Sequence, residues 1–183
     1  MEHLTTVALE KGIEHVRRSP ADHGRVELIV RRPAVDDRQV LEEATLDRAN
    51  GLVGDTWRAR GSSRTADGSS HPDMQLNLMN ARTAALVAGQ PDRWQLAGDQ
   101  LYVDLDLSEA NLPPGTRLEL GSAVIEITAQ PHLGCKKFSA RFGNDALRFV
   151  NSPIGRELRL RGANAKVVAP GQVRVGDTIR KLP

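Results

Sequence analysis

LYVDLDLSEANLPPGTRLELGSAVIEITA, residues 101–129, decides the fold. LYVDLDL alternates apolar and acidic side chains with a period of two, the pattern of a strand. Pro113, Pro114 and Gly115 then turn the chain, a strand follows, Gly121-Ser122 turns it again, and AVIEI returns: a hairpin. Working outward, RVELIVRR (25–32) places Val26, Leu28 and Val30 on one face of a half-buried strand that Pro33 stops. RQVLEEATL (38–46) reads as extended, NGLVGD (50–55) as a turn, and DMQLNLM (73–79) as a strand. AKVVA (165–169) and VRVGDTIRK (173–181) close the chain as strands.

Helices are few. Residues 3–18 carry Leu4, Val7, Leu9, Ile13 and Val16 at roughly helical spacing, and Ser19-Pro20 ends that run. Ala81, Ala84, Ala85 and Ala88 line one face of a helix that Gly89 stops, and NDALRFV (144–150) is a short helix capped by Asn144. Residues 61–73, GSSRTADGSSHPD, form a loop long enough to serve as a lid or rim. Continuous βα alternation is missing, which argues against a doubly wound sheet. The expected fold is mainly β: an antiparallel, barrel-like sheet with a few short helices, in one domain over 1–183 with an N-terminal helical extension over 1–24. Three Gly-Asp pairs, at 54–55, 98–99 and 176–177, are read first as turns.

Composition is that of a water-soluble chain, with 26% charged and 39% hydrophobic residues. No apolar run approaches the roughly 20 residues that cross a bilayer, so no membrane association is expected. The first residues lack an apolar signal core, and the single cysteine fits a reducing compartment, so a cytoplasmic location is expected. The net charge of +2 hides an asymmetry: from Pro131 onward there are 11 Lys and Arg against 3 Asp and Glu. Such a basic excess attracts anionic ligands. Without aromatic side chains interleaved in a stacking pattern, nucleic acid is not expected as a partner.

The excess begins at QPHLGCKKFSARFG (130–143), which holds Cys135, with His132 three residues before it and Lys136, Lys137 and Arg141 after it. The thiolate is the reactive form of cysteine, and nearby cations stabilise it. Read from a strand end, this grouping presents Cys135 to a basic pocket. The residues leave several roles open: ligand to a soft or high-valent metal, persulfide carrier or nucleophile, a Cys135–His132 hydrolytic pair lacking a visible third member, or a small buried thiol. One Cys and five His do not make a structural zinc site.

GLVGD (51–55), MQLNLMN (74–80), the 96–128 stretch, PHLGCKKF (131–138) and GQVRVGDTI (171–179) together resemble the MOSC domain, named for the C-terminal domain of molybdenum cofactor sulfurases. RVELIVRRP resembles the opening strand of stand-alone bacterial members. The resemblance covers 51–179 and implies a β-barrel that binds molybdenum cofactor or handles sulfur. It makes Cys135 the molybdenum ligand; Cys135 and, from the spacing read above, His132 are the catalytic candidates. Lys136, Lys137 and Arg141 become candidates for the anionic side of the cofactor, and Asn80, Arg82, Asp99 and Asn111 candidates for lining its pocket. Reduction of N-hydroxylated small molecules with electrons from a separate protein is one implied activity; alternatives are a persulfide carrier served by a sulfur-donor protein, and a non-catalytic module for an anionic ligand. No pyridoxal phosphate is expected in this chain. Some stand-alone members carry His-Gly-Gly where this chain reads SSHPD, with His71 followed by Pro72.

Overall fold

The computed structural model describes residues 3–183, so Met1 and Glu2 of the expected N-terminal extension lie outside the described residues. Its strands are β1 (His23–Arg31), β2 (Gln39–Leu41), β3 (Glu43–Asp47), β4 (Gly51–Leu52), β5 (Leu76–Asn80), β6 (Leu101–Asp104), β7 (Arg117–Leu120), β8 (Ala123–Ile127), β9 (Ala163–Ala169), β10 (Gly171–Arg174) and β11 (Thr178–Lys181). The helices are α1 (Thr6–Arg17), α2 (Trp57–Arg60), α3 (Ala81–Ala88), α4 (Lys136–Asn151) and α5 (Pro153–Glu157), with 3-10 turns at Pro72–Met74 and Pro91–Ala97.

Seven strands close into a barrel in the order β11-β7-β8-β9-β5-β6-β1, with β11 returning to β1 and β2 added beyond β1. A small second sheet runs β10-β3-β4. The hairpin read at 113–129 is present as β7–β8, with Leu118 opposite Ile125 and Leu120 opposite Ala123. The barrel is mixed rather than antiparallel throughout, because β5 and β6 pair in parallel. Their connection runs through α3 and the Pro91–Ala97 turn, the crossover that parallel neighbours require. Residues 50–55 are not wholly a turn: Gly51–Leu52 pair with β3 before the chain turns at Gly54.

The wall is buried on both faces. Val26, Ile29, Leu76, Leu78, Leu101, Val103, Ile125 and Ala165 fill the barrel interior. Val30, Met79 and Tyr102 point outward into a second core with Leu9, Val16, Phe138, Phe142 and Phe149. This corrects the facing read for β1. A bulge between Val26 and Leu28 in the pairing with β6 inserts Glu27, so Val26 and Ile29 face the barrel while Leu28 and Val30 face the helices. α1 packs into the second core through Leu9 and Val16, leaving Leu4 and Val7 exposed.

α4 corrects two further expectations. It begins at Lys136, so Cys135 precedes a helix instead of ending a strand. At Gly143 (φ 89°) the helix kinks, so the break before 144–150 falls on glycine and not on Asn144. All three Gly-Asp pairs turn as expected, with glycine φ of 83°, 93° and 95°. The 61–73 loop folds back on itself, Thr65 Oγ1 donating to the carbonyls of Ser62 and Ser69. Among the described residues no helix is long and apolar enough to cross a membrane.

Candidate functional site

The turn LAGDQ (96–100), leading into β6, is where the basic side chains converge. Three of its carbonyls accept from arginines: Leu96 from Arg141 Nη1 (2.7 Å), Ala97 from Arg161 Nη2 (2.9 Å) and Gly98 from Arg32 Nη1 (2.9 Å). A Cβ on Gly98 would lie 3.6 Å from Arg38 Nη2 and 3.9 Å from Arg141 Nη1, so two guanidinium groups flank its bare face.

Arg32 is buried and held by Asp55, whose carboxylate takes its Nε at 2.8 Å and its Nη2 at 2.9 Å. Asp55 also accepts from the backbone N–H groups of Arg32 and Trp57, which is how the Gly54-Asp55 turn is fastened to the end of β1. Burial, and then the charges of Arg141 and Arg32, push the Arg38 pKa down. Burial and Arg32 do the same to Arg60, against Asp55. These guanidinium groups therefore share one partly desolvated field. Nε of Arg38 and Nε of Arg161 are buried without a hydrogen-bond partner, and donors left unmet in a dry place fit an acceptor not supplied by the protein.

α4 joins this cluster to the cysteine. Cys135 is exposed at its start, its carbonyl accepting from the N–H groups of Phe138 and Ser139. Arg141 follows in the second turn. Lys137 Nζ (3.1 Å) and Arg141 Nη2 (2.8 Å) both pair with Asp36, an exposed residue on the β1–β2 loop with φ of 60°. Hydrogen bonding to Lys137, helped by its charge and that of Arg141, lowers the Asp36 pKa. Lys136 is exposed.

His132 and Asp99 are brought together. His132 Nε2 lies 2.7 Å from Asp99 Oδ1, and Arg161 Nη1 lies 2.7 Å from Asp99 Oδ2. Burial opposes the charge on Asp99, yet the Arg161 guanidinium and His132 hold its pKa down to about 2. Burial, and then the Arg161 charge, push the His132 pKa down, with Asp99 opposing. Arg161 also lies over the Phe138 ring, 5.1 Å from its centroid. Among the described residues no hydrogen bond joins His132 to Cys135; Asp99 is the group that orients the imidazole.

A cleft of about 380 Å³ is lined by Gln130, His132, Leu133, Arg156, Arg159 and Gly162, among others, and Cys135 is not part of its lining. The 61–73 loop meets its edge where Arg64 Nη1 approaches Gln130 Oε1 at 3.4 Å.

Asn80, Arg82 and Asn111 are engaged elsewhere in the fold. Asn80 caps α3 by accepting from Thr83 N–H and donates to Ser19 Oγ and the Leu105 carbonyl. Arg82 pairs with Asp104 through Nε (2.7 Å) and Nη2 (3.0 Å). Asn111 donates to the carbonyls of Ala21 and Asp106 and accepts from Lys181. The structure does not bring these three to the cluster around Gly98. Arg32, Arg38, Arg60 and Arg161, which sequence reasoning did not select, stand there instead; only the Arg31-Arg32-Pro33 ending of β1 hinted at one of them.

A model of the MOSC domain family matches residues 70–180. Among solved structures, the YuaD protein from Bacillus subtilis superposes with a TM-score of 0.64 at 17% identity, covering 87% of this chain and 95% of that one. YiiM from Escherichia coli gives 0.56 at 21% identity, with 87% and 70% covered. YiiM from Geobacillus stearothermophilus gives 0.57 at 13%, with 87% and 75% covered. At such identities the likeness speaks to the fold alone. Curated protein sequences give no match.

Proposed function

Because the chain belongs to the MOSC domain family, whose model spans residues 70–180, we propose that it binds molybdenum cofactor, with Cys135 as the protein ligand to the metal. The observation that carries the reading is the joining of two features by one helix. α4 starts from an exposed thiol, and its Arg141 reaches the guanidinium cluster at Gly98. The residues present fit such a group. A thiol suits a soft or high-valent metal, and the unpartnered Nε of Arg38 suits its anionic end. Among the described residues no three His, Cys, Asp or Glu side chains gather as a metal cage, so a metal at Cys135 brings its other ligands with it.

When bound, the cofactor supplies a metal centre able to exchange electrons and oxygen with a substrate. The chain's own residues do the rest. Arg38 and Arg141 hold the anionic group against Gly98. Lys137 adds charge once Asp36 gives way, and Lys136 lies on the solvent side of the same helix end. Arg32 stays fixed by Asp55 and contributes field rather than contact. On this reading the substrate is a small N-hydroxylated molecule, and a separate protein delivers electrons in the cytoplasm. A second reading rests on the exposure of Cys135: the thiol carries a persulfide from a sulfur-donor protein to a metal–sulfur assembly.

Reconstitution with molybdenum cofactor tests the anionic half of the proposal. Charge-assisted hydrogen bonds contribute about 1.5–3 kcal/mol each, so Arg38→Gln with Arg141→Gln should lower retained pterin at least about tenfold. Equal retention by wild type and the double variant would place the anion elsewhere.

A further inference from the structure

His132, Asp99 and Arg161 form a chain that the cofactor reading does not use. Asp99 is fully buried, with one oxygen 2.7 Å from Arg161 Nη1 and the other 2.7 Å from His132 Nε2. Arg161 is fixed in turn: Nη2 donates to the Ala97 carbonyl, and the guanidinium lies over Phe138. The imidazole is seated against Gly162, where an added Cβ would come within 3.0 Å of His132 Cδ2 and 2.1 Å of the Leu78 carbonyl oxygen. Its Nε2 edge is turned to Asp99, which does not line the cleft, while the residue itself does.

An ionised carboxylate can only accept. The proton shared with Asp99 therefore belongs to His132 Nε2, and in the neutral ring Nδ1 carries the lone pair. Among the described residues no hydrogen bond reaches that nitrogen. A second proton on the ring would set a cation beside Arg161 in a desolvated place, with Arg32 as a further positive neighbour. The remaining charged groups on that side are Arg156, Arg159 and Glu109 of the cleft wall.

We infer that Asp99 and Arg161 are positioning residues that hold His132 as the neutral Nε2–H tautomer, with Nδ1 offered as an acceptor to a small O–H or N–H donor bound in the cleft. This goes beyond cofactor binding and does not depend on it. It sets the base-type group of the molecule toward the cleft lined by Gln130 and Arg159, and away from the thiol.

Long-range proton–nitrogen correlation spectra of ¹⁵N-labelled protein test it directly, with the His132 signals assigned by their loss in His132→Gln. The expected wild-type pattern is a neutral ring protonated on Nε2 throughout pH 7–8. Asp99→Asn should shift the ring toward a mixture of tautomers, and Arg161→Lys, which keeps the charge but not the fork, should give an intermediate pattern. Phenol should move the Nδ1 resonance, while anisole, the same ring without the O–H, should not. A doubly protonated ring at pH 7, an Nδ1–H tautomer, or a tautomer unmoved in both variants would overturn the positioning role. An equal response to phenol and anisole, or a response to neither, would overturn the assignment of Nδ1 to the cleft.

Discussion

Replacing Arg161 with methionine keeps much of the stem and removes the charge that holds Asp99. The carboxylate is then left buried with the neutral His132 as its remaining side-chain partner. Removing one member of a buried ion pair costs about 3–5 kcal/mol, and the lost bond to the Ala97 carbonyl adds about 1 kcal/mol. In a domain of this size each kcal/mol moves Tm by about 2–4 °C, so melting should fall by roughly 10 °C or more at pH 7.5. The pH dependence carries the sharper test. In the wild type Asp99 is depressed to about 2, so its contribution is complete above pH 3.8 and declines only as pH falls toward 2. His132, also depressed, makes the wild type slightly less stable below its ordinary pKa near 6.5. In Arg161→Met the imidazole faces a carboxylate without the opposing guanidinium, so its folded pKa rises. A raised histidine contributes stability that is present at acid pH and lost as pH increases. The gap between the two proteins should therefore narrow by about 1 kcal/mol or more at pH 5.5, read from urea unfolding followed by circular dichroism. A loss below about 1 kcal/mol at pH 7.5, or a gap that widens on acidification, would refute the assignment of charges in this triad.

Two other outcomes follow from the same geometry. Asp36→Ala removes the carboxylate that occupies Lys137 and Arg141; inorganic phosphate should bind about threefold to tenfold more tightly at low ionic strength, with the difference shrinking at 0.5 M salt because the pair is exposed, as read by calorimetry. Cys135→Ala should change unfolding stability by less than about 0.5 kcal/mol, since the side chain is exposed and makes no capping bond, and iodoacetamide should label the wild-type thiol in the folded protein.

The strands were legible where one face alternated and a turn residue closed the run, as in the β7–β8 hairpin; the run read as one strand at 173–181 is instead the end of β10, a turn at Gly176 and β11. β1 was legible as a strand but not in its facing, because the bulge at Glu27 depends on how β6 pairs with it. The parallel β5–β6 pair was likewise hidden, since pairing direction is set by a connection whose second half, Pro91–Ala97, carries no strong helical period. The first turns of α4 were missed although Phe138 and Phe142 stand four apart, because KK beside a glycine reads as readily as loop or strand end. At the site, Cys135 and His132 stood out by residue type and spacing, and Asp99 through the family resemblance. Arg161 and Arg38 did not. What distinguishes Arg161 is partnership at long range, with Asp99 across 62 residues, and what distinguishes Arg38 is its place beside Gly98 and Arg141. No local pattern records such partnerships. Asn80 shows the converse: a residue in a motif segment whose polar atoms are spent on capping α3 and tying it to Ser19.

The proposed role of Cys135 is to hold a metal-bearing cofactor through its thiol. Its most direct test is the molybdenum and tungsten content per chain, with the oxidised pterin fluorophore, of wild type and Cys135→Ala purified without oxygen from a host that makes molybdenum cofactor. Near-stoichiometric metal and pterin are expected in the wild type, with metal lost from an equally well folded variant. Well-folded wild type from that host carrying neither would contradict it, and sulfane sulfur on Cys135 would then be the quantity to measure.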